Sequence, residues 1–225
     1  MTSGRHTGGP VSETIFLIDD DLSVREGLSE LLESMGFPVR IFASALEFLA
    51  LNPVEPEGCL ILDVEMPGMN GLDLQRKLLS CDICLPIIFL TGHGDIPMTV
   101  QAMKAGAVHF LTKPVQQDAL INAIQQALES DRKGRSERTQ IRKLRQCFDS
   151  LAPRERQVMR LVVSGLLNKQ IAYELGVSER TIKLHRSQIM RKMNAESLAE
   201  LVKQAEKLGP LGLDVRNCGG VSQGS

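Results

Sequence analysis

The sequence predicts an α/β unit followed by a small all-helical one, and three observations carry that expectation. Between Ile15 and Leu128 short apolar runs alternate five times with segments of helical period; from 151 to 208 only helical periods and short turns occur; and the charge changes sign between the two stretches. Residues 1–128 hold 7 Lys and Arg against 16 Asp and Glu, a net −9, whereas residues 129–225 hold 19 against 11, a net +8. Such asymmetry points to an acidic module joined to one that meets a polyanion.

The strand candidates are Thr14–Ile18, Val39–Phe42, Cys59–Leu62, Pro86–Leu90 and Val108–Leu111. Each is a short, largely apolar run. Between them the helical segments are Ser23–Met35, Ala45–Leu51, Gly71–Ser80, Pro97–Ala105 and Gln117–Glu129, with Gly or Pro at many joins. Alternation of this kind implies a five-stranded, doubly wound parallel sheet with helices on both faces, for which the flavodoxin-like order 2-1-3-4-5 is expected. The sheet unit is assigned residues 13–128. Residues 129–149, containing the charged run DRKGRSERTQIRKLRQCFD, read as a helical extension or a flexible linker in which Gly134 offers a break.

The helical unit is assigned residues 150–208 and reads as four short helices. Pro153 suits a first turn, Gly165 closes the first helix and Asn168 is placed as cap of the second. Gly176 fits a left-handed position and Ser178 caps the third. Residues 1–12 and the Gly-rich tail 209–225 are expected to be disordered.

Several classes are disfavoured. No apolar run approaches the ~20 residues of a membrane span, and the N-terminal stretch lacks the apolar segment of a signal peptide, so a soluble cytoplasmic protein without membrane contact is expected. Cysteines 59, 81, 84, 147 and 218 are odd in number and irregular in spacing, which argues against a disulfide framework. The lone Cys81-x-x-Cys84 pair reads as packing rather than a metal or redox site.

Chemistry concentrates at strand ends. The run Cys59–Leu62 leads into Asp63, and the first strand leads into Asp19, Asp20 and Asp21. In the 2-1-3-4-5 order these two strands flank the switch point, where ligands bind outside the strands' carboxyl ends. Carboxylates crowded there call for a hard, oxygen-ligated cation such as Mg²⁺. The fourth strand ends in Thr91 and the fifth in Lys113. A cation and a lysine beside a carboxylate are what phosphoryl transfer to that carboxylate requires.

The set IDD (18–20), LILDVEMPGMNG (60–71), LTGHGD (90–95) and HFLTKP (109–114) resembles the receiver domain of two-component response regulators. The resemblance implies that Asp63 is the phosphoacceptor, that Asp20 and Asp63 ligate Mg²⁺ or Mn²⁺ with Asp19 acting through water, and that the Glu65 backbone carbonyl completes the metal shell. It further implies that Thr91 and Lys113 bind the phosphoryl group, that Phe110 switches inward with Thr91, and that Lys113-Pro114 is cis. A sensor histidine kinase is the implied donor. Asp21 is read as a helix-start acid and His93 as a plain loop residue.

In the basic half, Ile182, His185, Ile189 and Met193 fall on one side of a helix, while Arg180, Lys183, Leu184, Ser187 and Arg191 fall on the other. NKQIAYELGVSERTIKLHRSQIMRKM resembles the LuxR-type helix-turn-helix of the NarL/FixJ regulators. That similarity implies base reading by Lys183, Leu184 and Ser187, backbone contacts by Lys169, Arg180, Thr181 and Arg186, and a dimer seam at Leu198, Leu201 and Val202. The implied function is a phosphorylation-dependent regulator of transcription, not an enzyme, binding promoter DNA as a homodimer. HGDIPMTV- and NKQ-like stretches also resemble those of regulators of aromatic-hydrocarbon breakdown.

Two other readings compete. An Asp-based phosphohydrolase would use Glu65, two residues after Asp63, as general acid. A constitutive DNA-binding protein would use its receiver only to dimerise.

Overall fold

The computed structural model describes residues 13–51, 56–81, 83–92 and 96–213. The chain divides into two compact units, residues 1–135 and 136–225. In the first, β1 (Thr14–Ile18), α1 (Leu22–Ser34), β2 (Val39–Phe42), α2 (Ala45–Ala50), β3 (Gly58–Asp63), α3 (Gly71–Ser80), β4 (Ile87–Thr91), α4 (Ile96–Lys104), β5 (His109–Thr112) and the start of α5 (Gln117–Asp149) follow in order. All strand pairs are parallel, and the sheet order is β2-β1-β3-β4-β5.

Alternate strand residues feed two cores, as a period of two requires. Phe16, Ile18, Leu60, Leu62, Ile87 and Phe89 pack with Phe48, Leu74, Leu78 and Ala102 of α2, α3 and α4. Ile15, Leu17, Cys59, Ile61, Ile88 and Leu90 pack on the other face with Leu32 of α1 and with Leu120, Ala123, Ile124 and Leu128 of α5. All six residues of β3 are buried. Burying each large aliphatic side chain of that strand contributes about 1.5–3 kcal/mol, so its position is strongly determined.

Side chains start the helices of this unit. Asp21 caps α1 by accepting from the Ser23 and Val24 amides, Ser44 caps α2 and Asn70 caps α3. Gln75 of α3, almost fully buried, donates to the Ala102 and Ala105 carbonyls at the C-terminal end of α4. It supplies a donor to carbonyls that a helix end leaves without intrahelical partners.

The α5 helix is 33 residues long and includes Gly134, so the break offered there is not taken. One cause is visible near the unit's boundary. Asp131, its side chain fully buried, accepts from the Gly58 amide at 3.1 Å and pairs with Arg135 at 2.8 Å. Arg135 also pairs with Glu13 at 3.0 Å and Glu57 at 2.7 Å, and Arg132 pairs with Glu13 at 2.6 Å. Gly58 is obligatory: its φ is 137°, and a Cβ there would lie 1.9 Å from the Thr14 carbonyl oxygen.

In the second unit, Leu144, Cys147 and Phe148 from the end of α5 join a core with α6 (Pro153–Val163), α7 (Asn168–Leu175), α8 (Glu179–Lys192) and α9 (Leu198–Leu213). Pro153 opens α6, where Glu155 reaches back to accept from the Ala152 amide at 2.7 Å. Asn168 is not the cap of α7, as its side-chain chemistry led us to expect. It is the first helical residue; Leu167 is the cap, its amide bonded by Gln170, which leaves Asn168 to accept from Arg186. α9 passes the expected end at 208: Gly209 is non-helical (φ 68°, ψ 175°) and helical turns resume as far as Leu213. The remaining expectations of disorder, for 1–12 and 214–225, lie outside the described residues. Among the described residues no helix is long and apolar enough to cross a membrane.

Candidate functional site

The carboxyl ends of β1, β3, β4 and β5 bring together Asp19, Asp20, Asp63, Thr91 and Lys113. Asp19 and Thr91 are fully buried and Asp63 nearly so, while Asp20 is exposed. Ligand oxygens of the three acids all lie within 4.8 Å of one another. The Lys113 ammonium sits 2.6 Å from Asp19 Oδ2 and 3.2 Å from Asp63 Oδ2. Its backbone amide donates to the Thr91 carbonyl at 2.7 Å, and the Lys113–Pro114 bond is cis.

Electrostatics follow from this crowding. Burial first, and then the Asp19 charge, hold the Asp63 carboxyl above the ordinary carboxylate range; Lys113 and the Glu65 backbone N–H pull weakly the other way. For Lys113 burial acts downward, but the Asp19 hydrogen bond and charge, followed by Asp63, outweigh it, so the ammonium is held above its ordinary value. The result is a pair of carboxylates held against one ammonium.

Local backbone fixes the turn that leaves Asp63. Gly71, the first residue of α3, approaches so closely that a Cβ would lie 2.4 Å from the Asp63 carbonyl oxygen. Its amide donates to the Val64 carbonyl at 3.0 Å, closing the loop that leaves Asp63. The Glu65 side chain is exposed, and its backbone N–H donates to the Asp63 carboxylate. Phe110 is half-buried, 6.1 Å from Phe89 between ring centroids. Asp21 faces α1 as its cap, and His93 lies outside the described residues. Cys81 and Cys84 are both exposed after α3, so packing does not account for them.

The second site is the α7–turn–α8 pair. Gly176 takes the left-handed conformation (φ 64°) and Ser178 caps α8 by accepting from Thr181 N at 3.2 Å. Ile182, Ile189 and Met193 are buried, with His185 partly so; Arg180, Lys183, Leu184, Ser187 and Arg191 are exposed, and Lys169 is exposed on α7. Leu184 keeps 58% of its surface, so its side chain is accessible on the outer face of α8. Two residues assigned to backbone contacts already hold internal bonds: Arg186 Nη1 donates to Asn168 Oδ1 at 3.0 Å, and the Thr181 hydroxyl meets Ser178 Oγ at 2.9 Å.

Of the seam expected on α9, Leu198 is exposed and Val202 partly so, but Leu201 is 1% exposed within its own unit's core. Leu201 therefore packs within its own unit, on the inner edge of a face whose outer edge carries Leu198 and Val202. Sequence reasoning also missed Arg25, whose guanidinium donates to the Asp19 carbonyl at 2.6 Å. A basic side chain one turn after a row of acids was the available signal.

Comparison with known proteins identifies both units by family. Residues 15–125 match the response regulator receiver domain, and residues 149–205 match the luxR family of bacterial regulatory proteins. The chain is 47% identical over 206 residues to Nodulation protein W of Bradyrhizobium diazoefficiens, covering 92% of this chain and 91% of that protein. It is 48% identical over 210 residues to the response regulator protein TodT of Pseudomonas putida, with the same coverages. The solved structure of the response regulator StyR superposes with a TM-score of 0.75 at 52% identity, covering 87% of this chain and 99% of that one. With a receiver domain preceding a LuxR-type DNA-binding domain, and relatives of this similarity along nearly its whole length, the chain belongs to the NarL/FixJ family of two-component response regulators.

Proposed function

We propose that the chain accepts a phosphoryl group on Asp63 and uses it to control DNA binding by α8. The observation that carries this reading is the Lys113 ammonium held against both Asp19 and Asp63 at the switch point of the sheet. An Asp63 carboxylate oxygen attacks the phosphorus of a phosphohistidine on a sensor kinase. The P–O bond forms as the P–N bond breaks, and the imidazole, already protonated on its other ring nitrogen, takes the P–N electron pair and leaves as a neutral ring. Lys113 is placed to neutralise charge on the transferred group, and the Thr91 hydroxyl to bind a phosphoryl oxygen after arrival.

The donor set suits Mg²⁺ or Mn²⁺: three hard carboxylates share one small region, and the raised Asp63 carboxyl marks a site where a cation would relieve repulsion. Asp20 and Asp63 would hold it directly, Asp19 through water, with the Glu65 carbonyl as a fourth protein oxygen. When bound, the ion supplies charge neutralisation at the phosphoryl oxygens.

Downstream, Thr91 and Phe110 relay the change to the α4–β5 face. Lys183, Leu184 and Ser187 read bases, while Lys169 and Arg180 contact phosphates, assisted by the remaining donors of Arg186 and by Thr181. Two copies pair through Leu198 and Val202 on DNA. The protein acts in the cytoplasm as a regulator rather than as an enzyme, and promoters of aromatic-hydrocarbon breakdown genes are the first to test. Incubation with acetyl phosphate and Mg²⁺ should label the wild type and not Asp63→Asn. Persistent labelling of that variant at another residue refutes the assignment.

A further inference from the structure

The loop that carries Asp19 and Asp20 is tied down more heavily than its length demands. Asp19 N donates to the Phe42 carbonyl at 3.3 Å, and Asp21 N donates to Asp19 Oδ1 at 3.0 Å. The Asp21 carboxylate is spent on the first amides of α1. Arg25, one turn into α1, has its own amide on the Asp21 carbonyl at 3.1 Å and its guanidinium on the Asp19 carbonyl at 2.6 Å. Four residues thus form a closed set of bonds around the peptide joining Asp19 to Asp20.

That peptide decides where Asp20 points. Asp19 is already oriented by Lys113 on one carboxylate oxygen and by the Asp21 amide on the other. Asp20 is the exposed acid of the three, with no comparable wall of protein around its side chain. Its carboxylate is aimed by its backbone, and the backbone plane ahead of it is held at the carbonyl oxygen by Arg25. A charged donor at this distance makes a strong bond, and the planar guanidinium fixes direction as well as distance.

We propose that Arg25 is a positioning residue for divalent-cation binding: by holding the Asp19 carbonyl it sets the Asp19–Asp20 peptide plane and presents the Asp20 carboxylate to the cation. The inference rests on the acidic pocket being the cation site of the proposed function. Residues that orient metal ligands change affinity by about 10–100-fold when removed. Because Arg25 acts on backbone, the lower end of that range is expected. Two effects oppose each other, and the sign separates them. Loss of the anchor weakens cation binding, whereas loss of a nearby positive charge strengthens it.

The test is calorimetric titration of Mg²⁺ into the unphosphorylated full-length chain, with wild type, Arg25→Met, Arg25→Lys and Asp20→Asn compared at one ionic strength. Arg25→Met should bind about tenfold more weakly. Arg25→Lys should recover part of that loss, since an ammonium can still donate one bond to a carbonyl. The metal-free melting temperature should move little in either variant, and added Mg²⁺ should raise it less in Arg25→Met than in wild type. Unchanged or tighter binding by Arg25→Met overturns the proposal. So does an Arg25→Lys variant as weak as Arg25→Met, or a loss of affinity that merely follows a loss of metal-free stability. A wild type that gives no Mg²⁺ signal, like Asp20→Asn, overturns the cation-site reading itself and this inference with it. Wild-type binding with an unaffected Arg25→Met overturns this inference alone.

Discussion

Arg135→Met should destabilise the receiver unit by about 3 kcal/mol, because it leaves the fully buried Asp131 carboxylate without its guanidinium. Removing one partner of a buried ion pair costs about 3–5 kcal/mol. Arg135 keeps a quarter of its side-chain surface in solvent, which sets the value at the lower end of that range. Glu13 retains Arg132, but Glu57 loses its bond to Arg135 as well. Asp131→Asn should cost less, about 1 kcal/mol, since an amide oxygen can still accept from Gly58 N and Arg135 keeps Glu13 and Glu57. The double variant should then be more stable than Arg135→Met alone, the signature of a relieved buried charge. Urea unfolding followed by far-ultraviolet circular dichroism measures this; at an m-value of about 2 kcal/mol per M, the midpoint of Arg135→Met falls by about 1.5 M. Hydrogen exchange should quicken in peptides covering β3 and remain unchanged in those covering α6 to α8. An Arg135→Met midpoint within about 0.3 M of wild type, or a double variant no better than the single one, refutes the reasoning.

The other expectations are shorter. Glu155 pairs with Lys192 at 2.6 Å; although burial acts upward, that bond and the Ala152 amide bring its carboxyl below the ordinary value. Its stabilisation is therefore full above the unfolded value near 4.5 and lost as pH falls through the lowered folded value, so Glu155→Gln should flatten the acid limb of a melting-temperature profile. Lys183→Ala should cost about 1–3 kcal/mol on a selected operator and little on random DNA, whereas Arg180→Gln should weaken both and reduce the salt slope by about one, as read in fluorescence anisotropy titrations. Gly71→Ala should retain the fold by circular dichroism yet lose acetyl-phosphate labelling, because its methyl collides with the backbone of Asp63. Gln75→Met should speed amide exchange at the C-terminal end of α4, and unchanged exchange there would remove Gln75 from any role in holding that helix.

The fold was legible because period-two and period-3.6 patterns are local and strong in this chain. β3 reads as fully buried from its composition, and every one of its residues is. The pocket acids, Thr91 and Lys113 were legible for a different reason: strand ends in a parallel sheet converge on one edge, so short motifs far apart in sequence become neighbours. What escaped were pairings over distance that leave no periodic trace. Asn168 looks like a cap in sequence, and only the arrival of Arg186 eighteen residues later shows why it is inside the helix. Leu201 reads as exposed or buried equally well until the packing of α9 on α6 decides it. Gly134 looks like a break, and the bonds of Asp131 to Gly58 and of Arg135 to Glu13 and Glu57 on either side of it are a tertiary reason for it not to be one.

The strand carrying Asp63 is gripped at both ends: Gly58 by the Asp131 side chain, and Asp63 by Lys113 with Gly71 pressed against its carbonyl. It is the stator of the receiver. With that support held at both ends, a group attached to Asp63 would act on the elements beside β3 rather than on β3 itself. A receiver built this way transmits a signal by having one part that refuses to yield.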